Sequence, residues 1–126
     1  MFLFRKKEMD IAAAKQFWKW FVENEQWIID NVSSNGVEVV WAIDAQIKPV
    51  FPYFKKELEF QLGFNHGIGK FFFFHFGNKN LISDAQKLDE LMPESLRQRW
   101  SFVIEDRKST RLNSSHSRAS RMPSSA

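Results

Sequence analysis

From Asp10 to Val32 the apolar residues recur at every third or fourth position. Ala14, Phe17, Trp18, Phe21, Ile28 and Val32 fall on one stripe at about 100° per residue, with Lys15, Lys19, Glu23, Gln26 and Asp30 opposite. This predicts an amphipathic helix with Asp10 as its N-cap, accepting from the free amides of the first turn. Ser33-Ser34-Asn35-Gly36 stops it, Asn35 and Gly36 being the residues that tolerate a left-handed helix end. Val37–Val50 is β-branched enough to suggest a strand, but the spacing of Val39, Val40, Ile43, Ile47 and Val50 predicts a second helix, limited by Pro49 and Pro52.

The period then changes. Over Glu57–Gly63, Leu58, Phe60 and Leu62 alternate with Glu57, Glu59 and Gln61, which predicts a strand with one wet face. Asn65–Gly69 reads as a loop, and Lys70–Phe76 as the returning strand of a hairpin. The returning strand is apolar on both sides, Phe72, Phe74 and Phe76 on one and Phe71 and Phe73 on the other, so it belongs in a sheet interior. Ser83-Asp84-Ala85-Gln86 has the capping-box pattern and predicts the start of a short helix with Ala85, Leu88, Leu91 and Met92 inward, limited by Pro93. Arg99–Glu105 supplies a third strand with Trp100, Phe102 and Ile104 on one face. The expected fold is α+β, in the order α-α-β-β-α-β, a small and mostly antiparallel sheet with a β-hairpin packed on helices. Its single domain covers residues 1–105 and is expected to be truncated at its C-terminus, leaving the third strand as an edge prone to self-association.

Charge sharpens that boundary. The chain of 126 residues is formally +3, but residues 1–105 carry 13 Lys and Arg against 14 Asp and Glu, whereas residues 106–126 carry five basic residues and one acid. All 20 aromatics also precede residue 106. The basic, Ser-rich remainder has the composition of a disordered tail. Asp106–His116 resembles, codon by codon, the in-frame translation of a common sequencing-library adapter, and Ser120–Ala126 resembles its continuation. Ser117, Arg118 and part of the Ala119 codon leave room for a sample index of about eight bases. The expectation is a non-native tail, with the basic charge carrying no functional signal. The alternative is a genuine tail that binds nucleic acid electrostatically.

The absence of cysteine excludes disulfides, zinc-thiolate and iron–sulfur sites, and thiol catalysis. No apolar run approaches the roughly 20 residues of a membrane span, and the opening MFLFRKKE places its charges after its apolar residues, the reverse of a secretory signal. A cytoplasmic protein without membrane or nucleic-acid partners and without a cofactor is expected, its partner being another protein.

Candidate chemistry is sparse. Asn24 and Glu25 interrupt the apolar stripe between Phe21 and Ile28, where a charge is costly unless paired. They either meet a partner molecule or bond to a neighbouring loop or helix end. Trp20 and Trp27 lie on the flank of that stripe, as interface anchors or as the edge of the core. His66 and His75 are the only histidines of the body. With Glu57 or Glu59 they would supply an acid/base or ligand group if the hairpin brought them together, although their spacing matches no metal motif. Asn65–Gly69 lacks the glycine pattern of a dinucleotide site and precedes a strand, which leaves it as turn chemistry.

FWKWFVENE, FPYF, LEFQLGFN, LDELMP and RWSFVIED together resemble a family of small, uncharacterised bacterial proteins that share an FWxWFxxNE opening helix, over most of residues 11–105. The resemblance implies a bacterial protein and no assigned catalytic residue. Two readings remain open. One is a non-catalytic protein-interaction domain of immunity or accessory type. The other is a small hydrolase-like or metal-dependent enzyme using His66, His75, Glu57 and Glu59.

Overall fold

The computed structural model describes residues 8–106 and 118–120. Helix α1 spans Ile11–Asn31, its N-cap Asp10 accepting from the Ala13 amide. Helix α2 spans Gly36–Ile47 and runs into a 3-10 turn at Lys48–Val50. The two helices are joined without a left-handed residue. Asn35 has φ −139° and ψ 48°, neither helical nor left-handed, and the Val32 amide still bonds to the Ile28 carbonyl, so the expected left-handed stop is not what separates the helices.

Strands β1 (Glu59–Asn65) and β2 (Ile68–Phe74) form the hairpin, in antiparallel register from Glu59 opposite Phe74 to Asn65 opposite Ile68. The expected five-residue loop shrinks to two residues, His66 and Gly67, with φ of +54° and +79°. Positive φ at both central positions is the type I′ geometry, whose twist matches the strands it joins. Gly69 therefore enters β2, and there it is required. A Cβ at this position would lie 2.5 Å from Trp100 Cδ2, so the buried indole lies directly against the glycine backbone.

Helix α3 (Lys79–Glu90) starts four residues before the capping-box pattern. Its N-cap is Asn78, whose side chain accepts from the Asn80 and Leu81 amides, while Ser83 lies inside the helix. After a one-turn helix α4 (Glu94–Arg97), strand β3 (Trp100–Glu105) joins β2 in parallel, with Gly69 opposite Trp100 and Phe71 opposite Phe102. The three strands form a mixed sheet, and Arg118–Ser120 adds a three-residue β4 antiparallel to β1, giving the order β3-β2-β1-β4. The phenylalanine strand is thus interior, as its two apolar sides imply, and β3 is an edge. The expected disordered tail lies outside the described residues, apart from Asp106 and the backbone of Arg118–Ser120.

The core lies between the helices and one face of the sheet. Phe60, Leu62, Phe71, Phe73, Trp100 and Phe102 point into it from the strands, and Phe17, Trp18, Phe21, Ile43 and Leu88 from the helices. Its centre is aromatic. Phe21 meets Trp100 edge-on at 5.1 Å, and Phe71 stacks on Phe60 at 5.4 Å. Such pairs contribute roughly 0.5–1.5 kcal/mol beyond their buried area. The other face of the sheet differs from expectation at β1. Glu59 and Gln61 are buried, standing opposite Phe74 and Phe72 in the register. Phe76 leaves that face altogether, at φ +50° beyond the end of β2.

Candidate functional site

The hairpin does not bring the two histidines together. His66 occupies the turn, and His75 follows the far end of β2, a strand whose seven residues span about 20 Å. It does gather the other three proposed acid/base residues. Pairing Glu59 with Phe74 places the start of β1 beside the residue after β2, and a solvent-open cleft of about 320 Å³ forms there. Its lining includes Phe54, Lys56, Glu57, Glu59, His75 and Phe76, with Asn78 at the base of α3.

Backbone geometry holds this cleft. His75, Phe76, Gly77 and Asn78 form a second tight turn, closed by the Asn78 amide bonding to the His75 carbonyl at 2.9 Å, with φ of +50° and +77° at its centre. A left-handed conformation is rare for a bulky aromatic residue. Here the ladder to β3 fixes it, as the His75 and Phe76 amides donate to the carbonyls of Glu105 and Asp106. His75 Nδ1 accepts from the Gly77 amide at 2.9 Å, which places the proton of a neutral imidazole on Nε2. The Asp106 carboxylate stands 3.9 Å from the same nitrogen. Phe76 is left 51% exposed on the rim, whereas Glu59 is only 8% exposed. Among the described residues no group of three His, Asp or Glu side chains is arranged to hold a metal ion.

Glu25 has a different task. Arg99 Nε and Nη2 donate to its two carboxylate oxygens at 2.7 and 2.8 Å, and Trp100 Nε1 donates to Oε2 at 3.0 Å. The Arg99 hydrogen bonds hold the carboxyl below the usual glutamate range, against an opposing effect of partial burial, with help from Trp100 and the guanidinium charge. The charge in the apolar stripe is thus the anchor of α1 on the start of β3. Asn24 donates to the Trp20 carbonyl of its own helix. Trp20 packs partly against the core, and Trp27 is 37% exposed.

Two features escaped the sequence reading. Tyr53 donates to Asp84 Oδ2 at 2.6 Å, tying the segment before β1 to α3, and burial, reinforced by that carboxylate, raises the phenol's pKa. The second is an apolar stripe on the outside of α2. Val37 and Trp41, one helical turn apart, are 64% and 63% exposed, and Ala45 continues the line one turn further. The signal was present as i, i+4, i+8 spacing, but it competed with the stronger inward set of Val39, Val40, Ile43 and Ile47. No helix of the described residues is long and apolar enough to cross a membrane. Comparison with protein-family models, curated proteins and solved structures finds no match to this chain.

Proposed function

We propose that residues 1–105 form a non-catalytic protein-interaction domain of immunity or accessory type, with the outer face of α2 as its contact surface. The observation that carries this reading is the exposed Val37–Trp41–Ala45 stripe. A tryptophan on a solvent face is the residue type most enriched among interface anchors, and a helix is the element that presents it rigidly. The earlier candidates divide accordingly. Glu25, Asn24 and Trp20 are engaged within the fold, while Trp27 remains partly open on α1. Residues 106–126 are read as a non-native tail on their resemblance to a translated adapter, although Arg118–Ser120 pairs with β1, and resequencing the locus past residue 105 is expected to give a different continuation.

Affinity capture from a bacterial extract, using the full chain, tests the reading. A specific protein partner is expected, lost with W41E and V37E while both variants keep the parent melting temperature. Truncating an interface anchor typically costs 2 kcal/mol or more, about thirtyfold in affinity. Recovery of no specific partner, or of one that W41E leaves bound, overturns it.

One observation favours a second reading, a hydrolase-like site: Glu57, Glu59 and His75 line one cleft. In it His75 would act as base with a glutamate partner, and His66 would take no part. Loss of a detected hydrolytic activity in H75Q but not in H66N is the expected signature.

A further inference from the structure

The outer edge of β1 holds a strand that the sequence of that strand does not account for. Arg118–Ser120 pairs there in antiparallel register, with Gln61 opposite Ser120, Leu62 opposite Ala119 and Gly63 opposite Arg118. Arg-Ala-Ser contains none of the β-branched or aromatic residues enriched in strands. The capacity to pair therefore resides in the acceptor, since an edge strand presents a row of backbone N–H and C=O groups to any extended segment. Among the described residues the pairing takes in three of the seven residues of β1. At the opposite edge of the sheet, no described segment is seated on β3.

The surroundings select what fits. Helix α2 lies alongside the seated segment, which makes the site a slot between a strand edge and a helix. Leu62 is fully buried on the face of the sheet that the helices cover. Residues directly opposite in an antiparallel pair project from the same face, so an incoming residue facing Leu62 also points to the helix side. Residues facing Phe60 and Phe64, which share the face of Leu62, do the same. We propose that this slot receives an extended segment of a partner protein, apolar at alternate positions, which adds to β1 as an antiparallel strand. Arg118–Ser120 fills the slot in cis. Backbone pairing then supplies affinity, and the alternate side chains supply specificity. This rests on the interaction reading and gives it a mode of contact.

The test is an NMR titration of the full chain with a short peptide of alternating valine and threonine, closed by lysine at both ends. The expected result is saturable shifts of the Glu59–Asn65 amides, with Overhauser contacts between the peptide backbone and Gln61–Gly63. A counterpart with proline at its two central positions cannot donate to the ladder and should not bind. In the parent chain the Arg118–Ser120 amides should shift with the same midpoint, as the cis segment is displaced. R118P/A119P/S120P empties the slot and is expected to bind the peptide about threefold to tenfold more tightly, because the competing state is removed. Equal binding of the proline peptide, shifts centred on Trp100–Glu105, or no saturation in parent and variant alike overturns the proposal. So does an affinity that the variant leaves unchanged while the Arg118–Ser120 amides of the parent stay still. Dimerisation of the variant through β1 would assign the slot to a second copy and overturn it too. The readout needs no natural partner, so failed peptide binding and failed capture from an extract are separate results.

Discussion

Glu25 shows how one residue can be legible as a problem before its solution is visible. Its place in the apolar stripe of α1 announces a charge that needs a partner, but that partner, Arg99, lies 74 residues along the chain, and no local pattern points to it. The arrangement has a definite pH signature. The folded-state pKa of Glu25 is lowered, so the pair contributes its full stability above the ordinary glutamate range. That contribution is lost as pH falls through the lowered folded value. E25Q keeps one acceptor oxygen for Arg99 or Trp100, but loses the charge and the two-pronged contact. The Arg99 side chain is 43% exposed, so solvent screens the pair, and the expected cost at neutral pH is about 1 kcal/mol. Chemical denaturation measured from neutral pH into the acid range checks this. The gap between parent and E25Q should be largest at neutral pH and close as the medium becomes acid. A gap that stays constant with pH would mean that packing, not charge, is what the substitution removes.

At the level of elements, periodicity carried the two long helices and the interior place of the phenylalanine strand, and turn chemistry set where the elements begin and end. Both long helices follow from their 3–4 spacing, and the doubly apolar phenylalanine strand sits inside the sheet, as its pattern demands. The two hairpin strands, by contrast, lie two residues from their expected positions. His66 adopts a left-handed conformation normally read as glycine or asparagine, and Gly69 serves packing on Trp100 instead of the turn. The cleft was hidden for the same reason, since its assembly depends on the register that sets Glu59 opposite Phe74. Helix α3 gives a direct comparison of two capping signals. Asn78 caps the real N-terminus through two amides, whereas Ser83 has a capping sequence without a helix end. N78A should therefore lower stability by about 1 kcal/mol, and S83A should change it by no more than a few tenths. Thermal melts of the two variants decide it, and the opposite ranking would restore the capping-box start.

On the scale of the whole molecule, the body and the last 21 residues follow different physical rules. The body concentrates every aromatic residue and is nearly neutral, with a core in which Phe17, Phe21, Phe60, Phe71 and Trp100 interlock. The remainder carries four arginines, Arg107, Arg111, Arg118 and Arg121, and one lysine, Lys108. A polyanion responds to local charge density, so any attraction of this chain to DNA should come from that cluster and vanish with it, leaving the fold untouched. Each neutralised phosphate releases condensed counterions, which makes such binding fall with a slope of about −0.9 per contact in log affinity against log salt. The full chain is therefore expected to be retained weakly on immobilised DNA at low salt and eluted well below physiological ionic strength. The variant R107Q/R111Q/R118Q/R121Q should show no retention and an unchanged melting temperature. If the quadruple variant still binds, the body has a basic surface that its composition does not suggest. If the full chain survives physiological salt, the cluster is a genuine nucleic-acid arm and residues 106–126 belong to the function after all.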